Sequence, residues 1–66
     1  MKDRLNARQR ALLSHISAVP MSPAALAERL GTSAHGAAES ASALVRRGLV
    51  GRLVERGHVF YYRKAQ

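Results

Sequence analysis

Residues 22–33 have the sequence SPAALAERLGTS, and this stretch predicts a short helix followed by a tight turn. Ser22 can cap the first turn with its hydroxyl, and the fixed φ of Pro23 suits the first helical position. The two leucines of the stretch stand four residues apart and therefore share one face of the helix. Gly31 stands where a residue of left-handed backbone commonly ends a helix. We therefore expect a helix of barely two turns that ends abruptly.

A longer helix is predicted before this stretch, from Asn6 to Pro20. Asn6 can cap its first turn, and Gln9 follows three residues later, as a capping box requires. Pro20 ends the pattern because the residue before a proline is pushed out of the helical region. Apolar residues recur at spacings of four and three along the predicted inner face, namely Leu12, Ile16 and Val19.

A third helix is predicted after the turn. Thr32 or Ser33 can cap it, and it runs to about Arg47 and stops at Gly48. Its predicted inner face consists of Ala37, Ala41 and Leu44. The remaining positions of this helix carry mainly small side chains.

The apolar period changes from helical to alternating after Leu49, and β-branched and aromatic residues flank a turn at Arg56-Gly57. This pattern predicts a β-hairpin with a two-residue loop. The opposed pairs are then Glu55 with His58, Leu53 with Phe60 and Arg52 with Tyr61. The face expected to pack on the helices consists of Leu49, Gly51, Leu53, Phe60 and Tyr62. The other face carries Arg52, Tyr61 and Arg63 among Val50, Val54 and Val59. A register shifted by one residue would exchange the two faces.

The chain of 66 residues is expected to form a single domain, residues 1–66. It has no cysteine, so neither a disulfide nor a thiolate metal site can hold the fold. No apolar run approaches the roughly 18 residues of a membrane span, so we expect a cytoplasmic protein without a membrane partner. Lys and Arg number 11 against 4 Asp and Glu, which gives a net charge of +7. Such an excess is typical of proteins whose partner is rich in phosphate.

The predicted fold class is therefore α+β, mostly α, with three helices followed by a two-stranded β-hairpin. This order, with its tight turn between the second and third helices, resembles the winged helix-turn-helix superfamily of bacterial regulators. The multiple-antibiotic-resistance and arsenical-resistance types of repressor carry similar runs, and the resemblance covers residues 5–63. The runs that carry it are LNARQ with the following Leu12-Leu13, SPAALAERLGTS and LVRRGLV, which begin at Leu5, Ser22 and Leu44.

The resemblance implies a DNA-binding transcriptional regulator. Its third helix would enter the major groove of double-stranded DNA, and the hairpin, or wing, would reach the backbone or the minor groove. The positions of the third helix that would face the groove are Ser33, Ala34, His35, Gly36, Ala38, Glu39, Ser42 and Arg46. The other predicted DNA-binding residues are Arg47 at the helix end and Arg52, Arg56 and Arg63 of the wing. Among them, Arg56 at the tip is the best candidate for the minor groove.

These groove-facing positions depart from the usual pattern, because base-reading helices commonly present Arg, Lys, Asn or Gln. Small side chains would let the helix backbone approach the groove closely. Recognition would then depend on DNA shape, on His35 and on Glu39 accepting from a cytosine amine. Alternatively, the smooth face contacts another protein, or the domain binds RNA or DNA without sequence preference. The excess of basic residues favours DNA.

Several of the basic residues also have a structural explanation. Arg46 and Arg47 complement the dipole of the third helix, and Arg56 can be a solvated turn residue. The cations at the start of the chain form either a phosphate-tracking arm or a solvated terminus. These cations are Lys2, Arg4, Arg8 and Arg10.

Other kinds of site have little support in the residues. No serine, cysteine or carboxylate dyad accompanies a positioned histidine, so we expect no catalysis. His15, His35 and His58 fall on three different elements, so we expect no metal, and no cofactor is implied. A core this small leaves little room for an effector pocket. Leu13 and Val45 are more apolar than solvated flanks require, which favours either a homodimer contact or packing against the wing.

Overall fold

Three helices and a two-stranded antiparallel sheet form the fold in the computed structural model, which describes residues 4–64. The helices are α1 (Ala7–His15), α2 (Pro23–Leu30) and α3 (Ala34–Arg46). The strands are β1 (Val50–Glu55) and β2 (His58–Arg63), joined by a two-residue turn. The predicted α+β, mostly α fold class is therefore confirmed.

The first two helices begin at the capping side chains that the sequence predicts. Asn6 accepts from the N–H of Gln9 at 2.7 Å, and the Gln9 side chain accepts from the N–H of Asn6 at 3.1 Å. This reciprocal pair is the capping box. The hydroxyl of Ser22 accepts from the N–H of Ala25 at 3.1 Å, with the proline in the first turn of α2. Local hydrogen bonds therefore fix where both helices start.

The turn from α2 to α3 is short because Gly31 ends α2 and Ser33, two residues later, caps α3. Gly31 closes α2 with φ 69°, in the left-handed region that glycine adopts without a steric cost. Of the two predicted caps for α3, Ser33 is the one used, and it accepts from the N–H of Gly36 at 3.0 Å. The N–H of Thr32 instead donates to the carbonyl of Ala27 at 3.1 Å. This turn fixes α3 against α2.

The core lies between the three helices and the inner face of the sheet. Its fully buried side chains are Leu12, Leu26, Ala37, Ala41, Leu44 and Val50. The predicted inner face of α3 is thus confirmed, and its two alanines allow a close approach of the neighbouring elements. Burying one leucine side chain contributes about 1.5–3 kcal/mol, so a few large residues supply much of the stability of so short a chain.

The first helix is shorter than predicted. It ends well before the proline that was expected to end it, and Val19 is 68% exposed rather than part of the core. Two bonds from the wing meet the chain where the helix ends. The guanidinium of Arg63 donates to the carbonyl of Leu13 at 2.9 Å, and the N–H of Arg63 donates to the carbonyl of Ser17 at 2.8 Å. The first bond satisfies a carbonyl group in the last turn of α1, and the second joins the residues after the helix to β2.

The hairpin has the predicted register and turn. The opposed pairs are Glu55 with His58, Leu53 with Phe60 and Arg52 with Tyr61. Both turn residues have positive φ, 52° at Arg56 and 79° at Gly57, which is the signature of a type I′ turn. The twist of such a turn matches that of the two strands, so the hairpin is tight.

The face of the hairpin that packs on the helices is the opposite of the predicted one. Val50 is fully buried and Tyr61 is 4% exposed, whereas Leu53 is 41% exposed. Both alternating rows contain apolar residues, so the sequence pattern does not distinguish the faces. On the outer face the ring of Tyr62 lies across Gly51 and leaves no room for a Cβ there. The outer row is therefore partly covered by its own aromatic residue.

A third backbone partner of the sheet has no sequence signal. Met21 and Tyr61 exchange two backbone hydrogen bonds, each 2.8 Å long. Strand β2 therefore has partners on both sides, β1 on one and the segment before α2 on the other. A single bridged residue has no periodicity, which explains why the pattern does not reveal it.

Candidate nucleic-acid interface

The outer face of α3 forms one shallow, open strip. It is lined by His35, Ala38, Glu39, Ser42 and Arg46, which we call the α3 strip. These residues recur at spacings of three and four and therefore lie on one side of the helix. The two small members are half-buried, and the three longer ones project into solvent. The structure thus brings together most of the positions predicted to face a groove.

The remaining predicted positions lie at the start of α3 and differ in their exposure to solvent. Ser33 and Ala34 are exposed, but the hydroxyl of Ser33 is already engaged as the helix cap. Gly36 is buried rather than groove-facing. A Cβ added there would stand 3.0 Å from the Oγ1 of Thr32 and 3.3 Å from the Oγ of Ser33. Close packing under the cap therefore explains this glycine, and we leave it out of the interface.

A contact between two polar side chains lies within the α3 strip. The Nε2 of His35 lies 3.2 Å from the Oε2 of Glu39 one turn later, and the side chains are 83% and 67% exposed. Glu39 also borders a second depression together with Arg8 of α1. Arg8 was predicted only as part of a phosphate-tracking arm or a solvated terminus, because no sequence pattern reveals that the start of α1 lies beside the middle of α3.

Two of the exposed arginines of the wing have no bonding partner among the described residues. Arg52 lies on β1 and Arg56 at the turn, and neither forms a hydrogen bond or ion pair with any other residue of the range 4–64. Arg56 also adopts the left-handed conformation, which costs an ordinary L-residue roughly 1–2 kcal/mol. Residues held in such conformations are concentrated at functional sites.

Two other predicted arginines are engaged within the domain. Arg63 donates to the carbonyl of Leu13 and so joins the wing to α1. A guanidinium nitrogen of Arg47 lies 3.4 Å from the carbonyl oxygen of Arg4, to which it donates. Both contacts brace the fold, and they separate these two residues from Arg46, which lies in the α3 strip.

The start of the chain lies against the domain as far as it is described. Arg10 donates to the carbonyl of Leu5 at 2.6 Å, and the carbonyl of Arg4 accepts from α3 as described above. Lys2, the first cation of the predicted phosphate-tracking arm, lies outside the described residues. Arg8 and Arg10 both belong to α1, so they are not part of an arm separate from the helices.

The candidate dimer residues are half-buried within the domain. Leu13 and Val45 both pack against the core cluster, so intramolecular packing accounts for their apolar character. The homodimer stays a prediction. Within residues 4–64, no three metal-ligating side chains cluster, and no helix has the length and hydropathy to cross a membrane.

Comparison with known protein families places this geometry in context. Residues 5–58 match the MarR family, so the match includes all three helices, β1 and the turn of the wing. No curated protein and no solved structure matches the chain. The match agrees with the helix-turn-helix, the wing and the observed order of elements. The chain belongs to the MarR family of winged helix-turn-helix transcriptional regulators.

Proposed function

We propose that this domain regulates transcription by binding double-stranded DNA, with the α3 strip in the major groove and the wing beside it. The observation that carries the proposal is the division of the arginines into two groups. Arg46, Arg52 and Arg56 are exposed on α3 and the wing and form no bond within the described chain. Arg47 and Arg63 instead donate to the backbone carbonyls of Arg4 and Leu13.

The electrostatics support this division. The chain has a net charge of +7, and no ion pair within residues 4–64 neutralises Arg46, Arg52 or Arg56. Arginines that contact phosphates displace counterions from the duplex, so affinity falls as salt rises. Six phosphate contacts would give a log–log slope of about −5. We expect the exposed arginines to supply about half of it, and the remaining contacts to come from the start of α3 and neighbouring cations.

The wing tip supports the same orientation. A type I′ turn accommodates Asn or Gly at its first central position more readily than arginine. Arg56 therefore occupies the tip despite a conformational cost, and a cation at the tip is suited to the negative potential of the minor groove.

The test is duplex DNA binding across a salt series, with two charge-matched double variants. The interface variant is R46A/R56A, and the control is R29A/K64A, which removes two exposed cations outside the proposed interface. We expect the interface variant to bind much more weakly, with a slope reduced by about 1.8, and the control to stay close to the unchanged protein. Affinity that ignores salt, or equal losses in both variants, contradicts the proposal.

A second function, docking on another protein, has one observation in its favour. Leu53 and Val54 on β1 are 41% and 57% exposed, adjacent to the basic tip. In that case the R46A/R56A variant would keep its regulatory effect in cells, whereas L53S/V54S would lose it. Competition by structured RNA and by single strands distinguishes duplex recognition from general nucleic-acid binding. A regulator of duplex sites stays bound to its duplex when these competitors are added, whereas a general nucleic-acid-binding protein is displaced by them.

A further inference from the structure

The single acidic side chain of α3 lies in the middle of the α3 strip. Glu39 is 67% exposed there, with Ala38 and Ser42 as small neighbours. A carboxylate in that position faces the phosphates of any bound duplex, and general charge attraction cannot explain it. It loses affinity at every site that offers it no hydrogen-bond donor.

The major groove offers few donors to such a group. The exocyclic amines, N4 of cytosine and N6 of adenine, donate there, whereas guanine presents acceptors and thymine an acceptor and a methyl group. An ionised carboxylate accepts and does not donate. Glu39 is therefore matched to one kind of base edge and mismatched to the others.

The contact with His35 leaves one oxygen of the Glu39 carboxylate able to accept a hydrogen bond from a base. His35 approaches Oε2 at 3.2 Å, and no described residue forms a hydrogen bond to Oε1. One oxygen is thus held by the preceding turn of the helix, while the other is available to a ligand. Because the neighbouring side chains are short, the carboxylate projects beyond them toward whatever lies against the strip.

We propose that Glu39 determines the base preference of the domain by accepting a hydrogen bond from an exocyclic amine of the target site. Guanine or thymine at that position of the contacted strand would place an acceptor against the carboxylate and repel it. His35 acts as a positioning residue through Glu39. This inference depends on the proposed binding of duplex DNA through the α3 strip. It names the feature of the DNA that the strip recognises.

The first experiment selects binders from a randomised duplex pool, using the unchanged protein and the E39A variant. We expect the unchanged protein to enrich one position for cytosine or adenine, with a preference of roughly 5- to 150-fold over the acceptor-only bases. The E39A variant loses that preference and binds the pool at least as tightly, because a negative charge near the phosphates has been removed. A pool in which every position selected by the unchanged protein is selected equally by E39A contradicts the inference.

The second experiment removes the amine from the selected site. Replacing the selected cytosine by 2-pyrimidinone, or the selected adenine by purine, deletes only the exocyclic amine. We expect this change to weaken the unchanged protein by the same factor and to leave E39A unaffected. The two arms also show which base supplies the amine. An equal loss in both proteins contradicts the inference, because the amine would then act through something other than Glu39.

His35 is tested by the same deletion. In H35A we expect removal of the amine to weaken DNA binding less than it does in the unchanged protein. In H35Q, which keeps a hydrogen-bond donor near Glu39, we expect the full loss of affinity to return. A residue that only stabilised the helix would change overall affinity without changing this penalty. If the unchanged protein binds duplex DNA with the expected salt dependence but E39A keeps its preference, the inference fails and the proposed function stands. If the unchanged protein does not bind duplex DNA, both fail.

Discussion

Replacing Arg56 by asparagine should stabilise the domain and weaken its binding to DNA at the same time. Arg56 is the one residue other than glycine in the range 4–64 with positive φ, 52°, and it precedes Gly57 at φ 79°. Asn-Gly is the pair that type I′ turns prefer, because asparagine tolerates the left-handed region. The substitution therefore removes a conformational cost and a cation together.

The two effects have separate magnitudes. An L-residue in the left-handed region costs roughly 1–2 kcal/mol, of which asparagine recovers a good part, so we expect a gain of about 1 kcal/mol in the free energy of unfolding. For a domain of this size that gain raises Tm by about 4–8 °C. Losing one phosphate contact reduces the salt slope by about 0.9, which corresponds to about an eightfold loss of affinity at 0.1 M salt.

Thermal unfolding followed by circular dichroism measures the first effect, and duplex binding across a salt series measures the second. R56K serves as the control, since it keeps both the charge and the conformational cost and should change neither quantity much. R52N serves as a second control, because Arg52 lies within β1 and gains nothing from a turn residue.

Opposite signs are the essential result. A variant R56N that is more stable and binds DNA unchanged would show that the wing tip lies outside the interface. A variant that is less stable would show that the backbone argument is wrong.

The remaining predictions concern stability and the arginine that holds the wing. L44A removes a side chain with no exposed surface and should lower the free energy of unfolding by about 2–5 kcal/mol, enough to unfold much of so small a domain. L53A truncates a residue that is 41% exposed and should lower it far less. Urea unfolding measures both variants. R63A loses the bond to the carbonyl of Leu13 and should cost about 1 kcal/mol, with the DNA salt slope unchanged when measured well below Tm. A reduced slope in R63A would instead assign Arg63 to the interface.

The local features of this fold could be predicted because local chemistry decides them. Asn6 and Gln9 cap the start of α1, and Gly31 ends α2, where the sequence predicts. Each of these contacts involves only residues within four positions along the chain. The hairpin register could also be predicted, because a two-residue turn fixes which residues oppose each other. The candidate strip of α3 followed from helical spacing in the same way.

The features that could not be predicted depend on distant parts of the chain. The last turn of α1 is bonded to Arg63, fifty residues after its partner Leu13. The packing face of the wing is decided by what lies beneath Val50 and Tyr61, since both rows of the hairpin are apolar. The same holds for the arginines, because charge alone does not show which of them brace the fold.

Strand β2 is hydrogen-bonded on both sides, and this has a mechanical consequence for recognition. Its bridge to Met21 fastens the wing to the residues that lead directly into α2, and α2 packs on α3. In the proposed complex with duplex DNA, these contacts would limit how far the wing and the α3 strip can move apart. The duplex would then have to adjust its groove width and curvature to reach both surfaces. The stiffness of the DNA would become part of the recognition, even at base pairs that the domain does not contact.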